Sequence, residues 1–302
     1  MSLADILTLV NPHWNGQFSC YDLVAKCDSQ PRHVVRVGAV AIGDGGLTMM
    51  AGPCAVETES QVLRTAEFLV ARGVRILRGG AYKPRSSPYA FQGLGIDGLK
   101  ILAKARRETG MAIVTEVMSE TDVEQIAEYA DILQVGARSM ENFSLLERLG
   151  TCGCAVLLKR GMSATLSDLL KSAQCIASFG NPDIILCERG IRSFDTATRN
   201  VFDVAAVPVL KAVCRLPVIV DPSHAAGVRS LVPILARAAV VVGADGLLVE
   251  VHPQPEAALC DGDQSLTLPQ FEAMMSDLRA YVAIRPALDA PIPVVQGAAL
   301  EC

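Results

Sequence analysis

The stretch Val74-Arg-Ile-Leu-Arg-Gly-Gly-Ala-Tyr-Lys-Pro-Arg-Ser-Ser-Pro-Tyr-Ala-Phe-Gln-Gly-Leu-Gly95 decides how the chain is read. It opens as an apolar run of strand length and turns into a long loop rich in Gly and Pro. Three cations, Arg78, Lys83 and Arg85, fall within eight positions of that loop. Pro84 and Pro88 stiffen it, because each ring fixes its own φ and restricts the residue before it. Converging cations on a stiffened loop suit a phosphate or carboxylate, with Arg as the planar fork and Lys as the point charge. A solvated basic loop would fit this stretch alone equally well. What separates the two readings is whether other strands end in the same way.

They do. Apolar runs of strand length recur at Leu47–Val56, Val74–Leu77, Ala112–Val117, Asp131–Val135, Ala155–Leu158, Asp183–Cys187, Pro217–Val220 and Gly246–Val251. Helical periodicity or favourable caps mark Ser60–Ala71, Asp97–Thr109, Asp122–Tyr129, Asn142–Leu149, Thr165–Phe179, Asp203–Val213, Val228–Val242 and Leu268–Val282. Gly closes several of these helices, at Gly73, Gly110, Gly150, Gly180 and Gly243. Eight near-continuous apolar strands alternating with helices predict an all-parallel sheet buried on both faces. Eight is also the number that closes into a (β/α)8 TIM barrel, of the α/β class. A doubly wound open sheet is the alternative, but Ala51-Gly-Pro-Cys54 is not the Gly-rich dinucleotide turn expected after its first strand. The predicted organisation is an N-terminal extension (1–46), a catalytic barrel (47–284) and a flexible tail (285–302). Ala4–Val10 reads as a short helix. Val34–Ile42, with the turn at Gly43–Gly46, reads as a β-hairpin capping the barrel bottom.

Composition narrows the function. The 302 residues carry a net charge of −5, which argues against a general nucleic-acid surface. An anionic ligand must then be held by locally gathered Arg and Lys. Ten Cys with no CxxC do not read as a disulfide framework and favour a reducing, cytoplasmic setting. Arg237 and Asp245 interrupt the most apolar stretch, so no membrane span is expected.

In a barrel of this kind the active site lies at the carboxyl ends of the strands. Those ends carry Cys54 and Glu57; Arg78, Lys83 and Arg85; Glu116; Arg138; Lys159 and Arg160; Glu188 and Arg189; Asp221 and His224; Glu250 and His252. Any one of them could be a rim charge or a cap, but nearly every strand delivers such a group at the same end. Six of them, Arg78, Lys83, Arg85, Arg138, Lys159 and Arg189, form a cationic set suited to ligands with several negative charges. Cys54, His224, Glu250 and one acid from Cys260-Asp-Gly-Asp263 form a mixed thiolate, imidazole and carboxylate set. That set fits a divalent transition metal and does not suit a Ca2+ or Mg2+ oxygen cage.

At these residues the chain resembles the 3-deoxy-D-arabino-heptulosonate-7-phosphate (DAHP) synthases, type I, β subfamily, without an added regulatory domain. The similar stretches include Ala51-Gly-Pro-Cys-Ala-Val-Glu57, Leu77-Arg-Gly-Gly-Ala-Tyr-Lys-Pro-Arg85, Gln134-Val-Gly-Ala-Arg138, Leu157-Leu-Lys-Arg-Gly161, Leu186-Cys-Glu-Arg-Gly-Ile-Arg192, Asp221-Pro-Ser-His224 and Val249-Glu-Val-His-Pro253. The resemblance implies a transferase condensing phosphoenolpyruvate with erythrose 4-phosphate in the shikimate pathway of aromatic amino acid biosynthesis. Cys54, His224, Glu250 and Asp261 are the implied ligands of Mn, Co, Fe or Zn. Arg78, Lys83, Arg138, Lys159 and Arg189 are the implied phosphoenolpyruvate-binding set, Arg85 and Ser86 the receivers of the aldose phosphate, and Lys83, Lys159 and His224 the catalytic groups. Ser86 stands where the family usually has Thr, and Ser139-Met-Glu-Asn-Phe143 where it usually has Asn-Met-Gln-Asn-Phe. Another phosphorylated aldose is therefore the alternative substrate. The sister family, 3-deoxy-octulosonate-8-phosphate synthases, usually has Lys-Ala-Asn-Arg at the position of Lys83-Pro-Arg-Ser86. A homodimer or homotetramer is implied too, as is insensitivity to Phe, Tyr and Trp, since 46 residues before the barrel are too few for a sensor domain.

Overall fold

The computed structural model describes residues 23–26, 31–84, 87 and 89–288. The Ala4–Val10 helix, Arg85, Ser86 and the expected tail from residue 289 lie outside them. Eight parallel strands close a barrel: β3 (Thr48–Gly52), β4 (Ile76–Arg78), β5 (Ala112–Val117), β6 (Ile132–Val135), β7 (Ala155–Lys159), β8 (Ile184–Glu188), β9 (Val218–Val220) and β10 (Gly246–Glu250). Closure comes from β10 pairing with β3, Gly246 opposite Thr48 through Glu250 opposite Gly52. The helices are α1 (Glu59–Val70), α2 (Ile96–Thr109), α3 (Val123–Ala127), α4 (Phe143–Thr151), α5 (Leu166–Ser178), α6 (Ala206–Val213), α7 (Pro222–Ala226), α8 (Val232–Val241) and α9 (Leu268–Leu288).

Side-chain alternation along each strand splits the core into two shells. Ala51, Leu77, Ile113, Leu133, Leu158, Leu186, Val220 and Val249 face outward and pack with the helices. Met50, Ile76, Val114, Ile132, Leu157, Ile185, Ile219 and Leu248 face inward and fill the barrel. Two residues further along, the same inward face reaches the carboxyl end, so the pleat itself delivers Arg78, Glu116, Gln134, Lys159, Asp221 and Glu250 to one mouth, and Arg189 follows two residues after the inward-facing Cys187.

The opposite mouth is plugged. An antiparallel hairpin of β1 (Val35–Val37) and β2 (Val40–Ile42) inserts Val35, Val37 and Ile42 into the interior shell beside Met50 and Ile76. Its turn lies at Gly38, φ 56°, rather than at Gly43–Gly46. Asp245, fully buried at the start of β10, ties this end together: its carboxylate meets Arg32 at 3.2 Å, Lys211 of α6 at 3.2 Å and Arg285 of α9 at 3.1 Å. Arg285 also donates to the carbonyls of Gly45 and Gly46. This anchoring carries the last helix to Leu288, past the expected boundary at 284.

Two helices differ from expectation. Val228–Val242 divides into a 3-10 turn at Arg229–Leu231 and α8, with Pro233 in the first turn of α8. The short α7 falls on residues read as a loop. Five residues are too few for a period, but Asp221 accepts from the His224 N–H as N-cap, Pro222 sits at the first position and Gly227 ends the helix in αL. No helix among the described residues is long and apolar enough to cross a membrane.

Candidate active site and metal centre

The carboxyl-end mouth opens into a cleft of about 160 Å3. Arg78, Lys83, Arg138, Lys159 and Arg189 all line it, together with His224 and Asp261. Arg78, Lys83, Lys159 and Arg189 are buried, each 6% exposed or less, whereas Arg138 lies at the exposed rim.

Each buried cation has a distinct setting. Arg78 Nη1 donates to the Pro53 carbonyl at 2.6 Å and stands 3.1 Å from Glu250 Oε1. Lys83 Nζ donates to the Cys54 carbonyl and to Cys54 Sγ, both at 3.1 Å. Burial works against the Lys83 charge, but the neighbouring Cys54, Cys260 and Glu116 outweigh it and hold its pKa above the usual lysine value. Lys159 Nζ is ion-paired with Asp221 Oδ2. Arg189 has no carboxylate within 4.0 Å among the described residues; its guanidinium reaches only the Gly190 carbonyl, at 3.5 Å. Burial lowers its pKa from the ordinary arginine value, only partly offset by Asp221. A buried guanidinium held without a counter-ion is a site prepared for an anion.

On one side of the cleft, donor atoms of Cys54, His224, Glu250 and Asp261 all lie within 4.8 Å of one another. Cys54 Sγ is 3.3 Å from Asp261 Oδ2, and His224 Nε2 is 3.6 Å from Glu250 Oε1 and 3.7 Å from Asp261 Oδ2. His224 Nδ1 lies 2.7 Å from Asp221 Oδ2. That contact fixes the proton on Nδ1 and turns the Nε2 lone pair toward the cluster. Burial lowers the His224 pKa, only partly offset by Asp221, which favours the neutral ring that ligates metals. Burial pushes the Asp261 carboxyl up, but His224, Arg199 and Lys83 outweigh it and leave it at about 2. Glu250 Oε1 is buried without a hydrogen-bond partner. A buried carboxylate oxygen that takes no hydrogen bond and has Arg78 Nη1 at 3.1 Å, set among a thiol, an imidazole and a second carboxylate, fits a divalent first-row metal.

The fourth donor comes from Asp261. Asp263 is exposed, whereas Asp261 has φ 53°, the only positive value at a non-glycine residue among those described. His252 stands apart, its Nε2 3.4 Å from Glu57 Oε2. Arg85 and Ser86 are outside the described residues. The structure also brings in groups to which no role had been assigned. Asp221 bridges Lys159 and His224, Gln134 Nε2 donates to Glu116 Oε2 at 3.2 Å, and Gln264 Nε2 donates to Glu250 Oε2 at 2.6 Å. Glu116 and Asp221 are among the strand-end groups read from the sequence, and Gln134 could have been found from strand alternation. Gln264, on a loop, carries no such signal. Glycines supply the clearance: a Cβ on Gly136 would lie 2.0 Å from Glu116 Oε1, and one on Gly52 would lie 2.1 Å from the Arg78 carbonyl oxygen.

Known proteins with this architecture point to one family. The chain is 51% identical over 259 residues to the phospho-2-dehydro-3-deoxyheptonate aldolase of Thermotoga maritima, covering 86% of this chain and 77% of that one. It is 36% identical over 269 residues to a 2-dehydro-3-deoxyphosphooctonate aldolase of Citrifermentans bemidjiense, covering 83% of this chain and 97% of that one. The crystal structure of the Thermotoga maritima aldolase (DAHP synthase) superposes with a TM-score of 0.84 at 49% identity, over 86% of this chain and 76% of that one. A truncated form of the 3-deoxy-D-arabino-heptulosonate 7-phosphate synthase from the same organism gives 0.82 at 46% identity, over 87% and 97%. Residues 25–283 match the DAHP synthetase I family, and with the barrel, the cationic cleft and this identity the chain belongs to that family.

Proposed function

We propose that this chain condenses phosphoenolpyruvate with erythrose 4-phosphate to give DAHP and inorganic phosphate, the first step of the shikimate pathway. The observation that carries the reading is one cleft in which Arg78, Lys83, Arg138, Lys159 and Arg189 adjoin the Cys54–His224–Glu250–Asp261 cluster. In the reaction, the enol π pair of C3 forms the new bond to the aldehyde carbon, and the aldehyde oxygen takes up a proton. Water adds at C2 with loss of one proton, and the tetrahedral centre expels phosphate with the C–O bonding pair as the new C2 hydroxyl gives up its proton to become the ketone, one of these protons leaving on the phosphate.

The cations bind carboxylate and phosphate and align C3 with the carbonyl, and such positioning can supply about 7–11 kcal/mol of a barrier at best. Arg189, free of an acidic partner, is the strongest anion receiver. Lys83, held protonated beside Cys54, is the favoured proton donor to the aldehyde oxygen, and Lys159 is the alternative. Lys159 is engaged with Asp221, which favours it as a binding cation over a Schiff-base nucleophile. Arg85 and Ser86 would receive the aldose phosphate. His224 would present Nε2 to a metal, with Cys54, Glu250 and Asp261 completing the set. A bound Mn, Co, Fe or Zn ion would supply Lewis-acid polarisation at the aldehyde oxygen. A cytoplasmic homodimer or homotetramer completes the proposal, and sedimentation at micromolar concentration checks the assembly.

The likeness to 2-dehydro-3-deoxyphosphooctonate aldolases motivates the second reading, the same chemistry on arabinose 5-phosphate. Phosphate release measured in parallel with erythrose 4-phosphate, arabinose 5-phosphate and ribose 5-phosphate separates the two. The four-carbon sugar is expected to turn over fastest, to stop on chelation and to recover with Mn2+ or Co2+. Faster release with arabinose 5-phosphate would move the reading to the sister activity. Full turnover in a verified metal-free sample would remove the metal from it.

A further inference from the structure

Arg199 lies on the loop after β8, where neither strand pattern nor charge spacing singled it out, yet it lines the same cleft and reaches the cluster. Its Nη1 donates to Gln264 Oε1 at 2.8 Å and stands 3.3 Å from Asp261 Oδ1. Gln264 in turn donates through Nε2 to Glu250 Oε2 at 2.6 Å. We infer that Arg199 is a positioning residue of the four-donor cluster, holding Asp261 directly and Glu250 through Gln264 in the orientation that a divalent metal requires. The inference deepens the metal reading of the cluster and rests on it.

The orientation is specific to particular oxygens. Arg199 engages Oδ1 of Asp261, which leaves Oδ2 turned toward Cys54 Sγ and His224 Nε2. Gln264 engages Oε2 of Glu250, which leaves Oε1, the oxygen without a hydrogen-bond partner, between Arg78 Nη1 at 3.1 Å and His224 Nε2 at 3.6 Å. One guanidinium thus sets both carboxylates with one oxygen inward. Asp261 takes a left-handed backbone, φ 53°, a conformation that Asp adopts more readily than most side chains.

The loop that carries Arg199 is itself fastened to the helix that carries His224. Arg199 N–H donates to the Ala226 carbonyl at 3.2 Å and Asn200 N–H to the Ala225 carbonyl at 3.1 Å. Asn200 Nδ2 donates to the His224 carbonyl at 2.9 Å. A Cβ at Gly227 would fall 2.3 Å from Arg199 Cβ, so the αL glycine that ends α7 also admits the arginine. The Arg199–Asn200 pair therefore links three of the four candidate donor residues.

Mn2+ titration without substrates, by calorimetry and by competition with a chelator, tests this on the full chain. Orienting partners of metal ligands are worth about 10- to 100-fold in affinity. Arg199→Met, which keeps the stem against Gly227, is expected to weaken Mn2+ binding at least about tenfold with the metal-free melting temperature unchanged. Gln264→Leu is expected to weaken it less, and the double variant to lose less than the product of the two. Arg199→Lys should restore part of the affinity, because one nitrogen makes both contacts. Equal Mn2+ affinity in wild type and Arg199→Met overturns the inference. So does loss of affinity that tracks a fall in metal-free stability across Arg199→Met, Arg199→Lys and Gln264→Leu. A wild-type protein that binds no Mn2+, Co2+, Fe2+ or Zn2+ overturns the underlying metal reading instead, so the two failures are distinct.

Discussion

Replacing Arg189 with Met should make the free protein more stable while abolishing its use. The side chain is 4% exposed, with only the Gly190 carbonyl within reach, at 3.5 Å. Its charge is held out of water without a carboxylate to neutralise it. Swapping buried ionic groups for well-packed apolar ones of similar volume often stabilises by about 1–4 kcal/mol, and Asp221, which attracts Arg189 at longer range, places the expectation in the lower half, about 1–2 kcal/mol. At roughly 2.1 cal/mol/K of unfolding entropy per residue, a chain of 302 residues converts this into a rise of about 2–3 °C in melting temperature. Binding should move the other way. A guanidinium making two charge-assisted bonds, each worth about 1.5–3 kcal/mol, loses about 3–6 kcal/mol, or roughly 10^2- to 10^4-fold in kcat/KM for phosphoenolpyruvate. Scanning calorimetry of the ligand-free variant gives the first quantity. Coupled phosphate release, with phosphoenolpyruvate protection against thermal unfolding, gives the second. A lower melting temperature with unchanged phosphoenolpyruvate affinity would show that Arg189 is a structural cation and would refute the reasoning.

Asp221→Asn should act in the opposite sense, because it strips the carboxylate from the buried Lys159 and from His224 Nδ1. Breaking a buried pair by removing one partner costs about 3–5 kcal/mol, so calorimetry should show a drop of about 5–8 °C, largely recovered in the Lys159→Met/Asp221→Asn double variant, with Mn2+ affinity still impaired. A single variant as stable as wild type would disprove the bridge. Ile42→Ala in the hairpin plug removes a fully buried side chain and should cost about 2–5 kcal/mol by urea titration. Because it sits at the mouth opposite the cleft, kcat of the folded fraction should stay within a few-fold of wild type, and a large kcat loss at undiminished stability would contradict that separation.

The barrel was legible in the sequence for a local reason. Apolar strand runs such as Ala155–Leu158 and helix stops such as Gly110 are encoded within a few residues, and eight repeats of them leave little choice of closure. Arg78, Lys83, Arg138, Lys159 and Arg189, with Cys54, His224 and Glu250, were legible on the same basis, since a residue at the carboxyl end of a strand points to the same mouth as its counterparts. Helix α7 escaped because five residues carry no period. Arg285 was placed in the tail because nothing nearby in sequence reveals that Asp245, 40 residues away, requires it.

What the tertiary structure alone decided is which of the gathered groups neutralise one another. From sequence, Lys159 and Arg189 are equivalent cations; in the folded protein one is paired with Asp221 and the other is not. From sequence, Asp261 and Asp263 are equivalent acids apart from the family resemblance; the left-handed turn at Asp261 aims one inward and leaves the other in solvent. Arg199, Gln264 and Glu250 come from separate segments and meet only across the mouth of the closed barrel. Strand polarity is a property of the local chain and can be read directly. Ion pairing depends on distances of a few ångströms between segments far apart in sequence, and it is settled only when the barrel closes and the loops pack over it.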